Sequence, residues 1–139
     1  MIISSQENRS IQTAKIIQEL NPVHHIISSN LNEIKFRRGI IEKEDIEQED
    51  FHYLRKKILT SIYNSNFSEK FYDVKNRFLK FLEFTKTIEH DNILCVTHGW
   101  FMRIIELYKE KGSLENINLN ELLEVRPAKF LDTIEIHPL

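Results

Sequence analysis

The segment Ile93-Leu94-Cys95-Val96-Thr97 constrains the fold of this chain more than any other. It is an uninterrupted apolar run of strand length, followed at once by His98-Gly99-Trp100. Phe101, Ile104, Ile105 and Tyr108 then recur at helical spacing. A run that is apolar at nearly every position predicts a parallel strand covered on both faces. A strand, a tight turn and a helix in that order point to an α/β layer fold.

The rest of the chain fits this pattern. Ile2-Ile3 followed by Ser4-Ser5 reads as the end of a buried strand running into a loop. A helix is predicted from about Glu7 to Leu20, with Ile11, Ala14, Ile17 and Leu20 near one face. Asn21-Pro22 stops it. His25 to Ser28 reads as a second short strand, and Asn30 to Gly39 as loop. The acidic stretch Glu42 to Asp50 reads as a solvated face. Phe51, Leu54, Ile58 and Ile62 predict a helix over Asp50 to Tyr63, broken by Asn64-Ser65-Asn66. Phe71, Val74, Phe78 and Leu82 predict another from Ser68 to Ile88, with Ser68 as N-cap. Leu119 to Glu124 reads as a short helix and Thr133 to Ile136 as a last strand. The expected class is α/β with a mostly parallel sheet.

Composition narrows the function. The 139 residues carry 19 basic and 21 acidic side chains, a net charge of −2. There is no basic stripe, so nucleic-acid binding is not expected. No apolar run approaches the roughly 20 residues of a membrane span, and no signal peptide is visible, so no membrane partner and a cytoplasmic location are the expectation. Cys95 is the one cysteine, which excludes an internal disulfide and a cysteine-rich zinc site; it reads as a core residue. Glycine and proline number three each, few for an all-β protein. No repeat or linker divides the chain, so residues 1–139 are read as one domain or part of one.

Three places carry chemistry. In Ser4-Ser5-Gln6-Glu7-Asn8-Arg9, a strand end, a polar loop and a helix start meet an arginine in the first turn. Ligands of α/β sheets bind beyond the carboxyl ends of strands. An arginine beside exposed helix N–H groups suits a phosphate there; the alternative is a surface arginine. His98 follows the apolar strand at the same edge, and Gly99 lets backbone approach a ligand. The alternative is a histidine that caps the next helix. Glu33, in Leu31-Asn32-Glu33-Ile34, would serve as a general acid if its pKa were raised; the alternative is a solvated carboxylate. His24-His25 would point to opposite faces of a strand and chelate poorly, so no metal is expected. Arg37-Arg38 would reach an anionic substrate tail or lie in solvent, and Trp100 would line the pocket or pack between helix and sheet.

Together these segments resemble the histidine phosphatase, or phosphoglycerate mutase-like, family. The resemblance lies in Ser4-Ser5 followed by Arg9 and Thr13-Ala14, and in Leu31-Asn32-Glu33. It continues through Phe71-Tyr72-Asp73-Val74 with Arg77 and Phe81-Leu82. It ends in Asp91 to Gly99 with Arg103, and so covers Ile2 to about Leu107. It implies a three-layer phosphoglycerate mutase-like fold and phosphomonoester hydrolase or phosphomutase chemistry without a cofactor. Arg9, His98 and the backbone at Gly99 would hold the phosphoryl group, and Glu33 would protonate the leaving oxygen. The ligand would be a phosphorylated small molecule or a phosphoprotein.

The resemblance is incomplete at one end. The family opens with a strand ending in Arg-His-Gly, whose histidine is the nucleophile, and no such triplet occurs here. The expectation is therefore an N-terminally incomplete, truncated form, inactive by itself. The family's missing strand lies beside the strand that carries His98. An open sheet edge there would favour self-association or a strand-donating partner. The alternative is a non-catalytic phosphate-ligand or protein-interaction module.

Overall fold

The computed structural model describes residues 1–47, 49–129 and 132–136. Its sheet has three parallel strands, β1 (Ile2–Ser4), β2 (His25–Ile27) and β3 (Leu94–Val96), in the order β2-β1-β3. Ile2 is registered with His25 on one side and Leu94 on the other. The helices are α1 (Asn8–Leu20), α2 (Lys43–Glu47), α3 (Phe51–Tyr63), α4 (Phe71–Lys86), α5 (Gly99–Lys111) and α6 (Leu119–Glu124). The fold is α/β, as its sequence pattern requires. No helix among the described residues is long and apolar enough to cross a membrane.

The strand buried throughout is β1, not β3. Ile3 joins the main apolar cluster with Phe78, Phe101 and Leu107. Its neighbour Ile2 is buried outside that cluster, because successive strand residues face opposite sides. α1 packs against the sheet. β3 departs from expectation: it lies at the edge of the sheet and its first residue, Leu94, is 42% exposed. Its apolar run reflects one covered face and an outer side that no described strand pairs.

The last predicted strand does not form. Thr133 to Ile136 lies among the described residues but pairs with no described strand. Ile134 and Ile136 still pack against the core, so their alternation is used without a ladder. Leu20 is 84% exposed, although the spacing put it on the buried face of α1. A 13-residue helix spans about 20 Å, whereas the three-residue strands beneath it span about 10 Å. The end of α1 therefore overhangs the sheet.

Helix starts differ in detail too. Asp50 caps α3, accepting from Tyr53 N–H, but Phe51 is exposed and the buried residues are Leu59 and Ile62. α4 begins at Phe71, whose N–H donates to Ser65 Oγ. Ser68 is no cap: it stands in an isolated antiparallel bridge with Phe36, and its hydroxyl donates to the Ser61 and Glu69 carbonyls. The acidic stretch is only partly solvated, since Asp45 of α2 is buried against Lys57. α4 and α5 meet through Phe78, whose ring stands edge-on to those of Phe101 and Tyr108.

Candidate functional site

Two crossovers bring distant segments to the carboxyl edge of the sheet. Ser5 N–H donates to the Val96 carbonyl, which fixes the exit of β1 beside that of β3. Thr97 Oγ1 donates to the Leu31 carbonyl at 2.6 Å, and Gln6 N–H donates to Asn32 Oδ1 at 3.0 Å. Arg77 of α4 holds the same loop from below, donating to the carbonyls of Asn30 and Asn32. Its guanidinium also forks onto Glu69 and covers the Phe101 ring at 4.2 Å. Asn32 and Arg77 are thus what present Glu33. Asn32 gave no sequence signal beyond its place in the Leu31-Asn32-Glu33 segment.

His98, 5% exposed, is the hub. Its Nε2 lies 2.7 Å from Ser5 Oγ and 3.2 Å from Ser10 Oγ. Its Nδ1 accepts from Arg9 Nε at 2.9 Å. A nitrogen that accepts cannot carry the proton of a neutral ring, so that proton sits on Nε2. Burial holds the imidazole pKa below its ordinary value, opposed by the Glu7 carboxylate and reinforced by the charges of Arg9 and Arg77. His98 is therefore neutral at pH 7, buried yet fully bonded.

Glu7 is the residue that sequence reasoning missed. Its Oε2 accepts from Arg9 at 2.9 Å, its Oε1 accepts from Glu33 N–H at 2.9 Å, and Oε1 lies 3.5 Å from His98 Nε2. One carboxylate thus touches the arginine, the histidine and the glutamate segment together. The signal available was its place two residues before Arg9.

Glu33 is not a solvated carboxylate. Oε1 accepts from the Ile34 and Phe101 N–H groups, each at 2.9 Å, and Oε2 from Trp100 N–H at 3.2 Å. It therefore sits at the N-terminus of α5, where a negative charge is favoured. Burial nonetheless pushes its pKa above the usual carboxylate range, outweighing those N–H bonds and the Arg9 charge. A side chain added at Gly99 would meet open space, so backbone there is accessible from outside.

The remaining sequence candidates separate. Trp100 packs edge-on against Phe36, ring centroids 6.3 Å apart. Cys95 is partly buried, and burial pushes its thiol up to about 12, which makes it inert. Arg103 is buried on α5, and neither terminal nitrogen has an acceptor among the described residues. Burial and the nearby charge of Arg55 lower its pKa to about 10. His25 is bonded to Ser4 Oγ at 2.9 Å and plays no part in the cluster.

A parallel sheet with an arginine, a neutral histidine and a buried carboxylate gathered beyond its carboxyl edge defines an α/β protein with a polar centre at that edge. The sequence model of the histidine phosphatase superfamily (branch 1) matches residues 1–125, and the chain belongs to that family. No curated protein and no solved structure matches it.

Proposed function

We propose that this chain holds the phosphoryl group of a phosphomonoester between Arg9, His98 and the Gly99 N–H. The observation that carries this reading is the seat of the Glu7 carboxylate. An anion already rests against Arg9 Nη2 and close to His98 Nε2. A phosphoryl oxygen has the same charge and acceptor geometry, and arginine binds it as a fork. Glu33, with its raised pKa, is the group suited to give a proton to the leaving oxygen.

Hydrolysis by the family's route needs an attacking histidine to split the reaction into two easier steps. His98 carries its proton on Nε2 and its Nδ1 lone pair is taken by Arg9 Nε, so it can donate to a phosphoryl oxygen but has no lone pair free to attack, and the sequence has no Arg-His-Gly. On this reading the 139-residue chain binds without turnover. Catalysis then requires a nucleophile on a further segment or partner strand, for which the outer side of β3 is the open place.

The test is calorimetric titration of the chain with inorganic phosphate, beside an assay of phosphate release from p-nitrophenyl phosphate. Arg9→Ala should weaken binding by about 10- to 150-fold, the equivalent of losing a charged hydrogen bond. Unchanged affinity in Arg9→Ala overturns the pocket. Steady release of phosphate by the wild-type chain overturns the binding-only reading.

A further inference from the structure

Arg103 is 2% exposed, and its Nη1 and Nη2 have no acceptor among the described residues. One turn further along α5, Glu106 Oε2 is buried and equally unpartnered. The charge that acts on Arg103 is that of Arg55 on α3, a second cation. Arg55 itself forms no hydrogen bond or ion pair among the described residues. We propose that Arg103, Arg55 and Glu106 form an anion site between α3 and α5 that takes a small oxyanion still carrying a proton, the class to which inorganic phosphate and bicarbonate belong. The site is independent of the phosphoryl pocket proposed above.

The first support is the cost of leaving these atoms as they are. A buried guanidinium with no acceptor keeps the full penalty of its lost hydration. Two terminal nitrogens side by side form a fork that an oxyanion matches with two parallel bonds. Arg55 adds attraction of the same sign, and nothing described on α3 or α5 neutralises either charge by a salt bridge to them.

The second support is Glu106, which narrows the anion. Residues three apart lie on one face of a helix, so the fork and the Glu106 carboxylate are neighbours that do not bond each other. An ionised carboxylate can only accept. A fully ionised anion on the fork would turn its own acceptors towards that carboxylate, and the two charges would repel. An oxyanion with one O–H donates it to Glu106 Oε2 while its other oxygens accept from Arg103. The group of three thus reads the proton as well as the charge. Arg55 and Glu106 are only half-buried, which gives a small ion its route from solvent.

The experiment is calorimetric titration of the full chain with inorganic phosphate and with sulfate at matched ionic strength. Phosphate keeps at least one proton near neutral pH, and sulfate keeps none. The wild type should show two classes of phosphate site, one lost in Arg9→Ala and the other in Arg103→Met. In Arg9→Ala, where the second class remains, phosphate should bind about 10- to 150-fold more tightly than sulfate, the equivalent of one charged hydrogen bond. Adding Glu106→Gln puts a donor where the carboxylate accepts; sulfate should then bind, and the ratio should fall to about one. Arg55→Gln should weaken both anions and keep the ratio. Arg103→Met removes an unpaired buried charge at similar volume and should fold at least as stably as the wild type.

If Arg9→Ala binds no phosphate, ordered water satisfies these atoms and the inference is overturned. Phosphate binding that persists in Arg9→Ala/Arg103→Met overturns it too, as does a preference over sulfate that is missing or is unmoved by Glu106→Gln. If the wild type shows the Arg103-dependent class alone, the phosphoryl pocket at Arg9 is refuted and this site stands.

Discussion

Glu7 sets the terms on which the site meets a ligand. Its carboxylate rests on Arg9 and near His98, so an incoming phosphate has to displace it. Glu7→Gln keeps the shape but removes the competing charge. Phosphate should bind about three- to fivefold more tightly to that variant, the worth of a partly exposed ion pair. Calorimetry checks this, and weaker binding would mean that Glu7 helps to hold the ligand. Such a contact cannot be read from sequence. A glutamate two residues before an arginine has many places to go, and only the crossover that brings the Glu33 segment alongside fixes its carboxylate.

At the scale of elements, the α4–α5 contact supports the site from below. Phe78 is 1% exposed and touches both Phe101 and Tyr108. Phe101 in turn gives its N–H to Glu33. Phe78→Ala should cost about 3–5 kcal/mol of stability, as other buried phenylalanine truncations do. Urea unfolding measures it; a loss below 1 kcal/mol would mean that the aromatic cluster repacks freely. This contact was largely legible, because Phe71, Val74 and Phe78 repeat at helical spacing and are buried. Arg9, Glu33 and His98 were legible for a different reason: each sits where a strand end or loop must face the carboxyl edge. What the sequence hid is long-range. Ser68 has the chemistry of an N-cap, yet tertiary pairing with Phe36 takes it. Leu94 reads as core, yet the strand order puts it at an edge. Thr133 to Ile136 has strand periodicity but no described strand beside it.

For the whole molecule, the buried histidine ties stability to pH. In the unfolded chain an imidazole takes its proton near pH 6.5, whereas folded His98 takes it at a lower pH. The His98 contribution is thus complete above about 6.5 and is lost as pH falls through its folded value. Glu33 acts in the opposite sense. Its folded pKa is raised, so it penalises the fold while ionised and is relieved by acid. The prediction is that the thermal midpoint falls below pH 6.5 in the wild type and falls less in His98→Gln. Calorimetry across pH 5 to 8 checks it, and parallel curves for the two proteins would exclude His98 as the source.

The strand register has a consequence in time as well as in space. Ile2 lies against Leu94, and Ser5 of the same segment bonds His98. Everything between them has to be synthesised before the central strand has both neighbours. Closing so long a loop is slow relative to forming local helices. During translation α1, α3 and α4 can form and begin to collapse while β1 still waits for β3. The pocket then assembles only after β3 and His98 have emerged, and an interruption of synthesis before Val96 leaves the helices beside a β1–β2 pair that lacks its third strand.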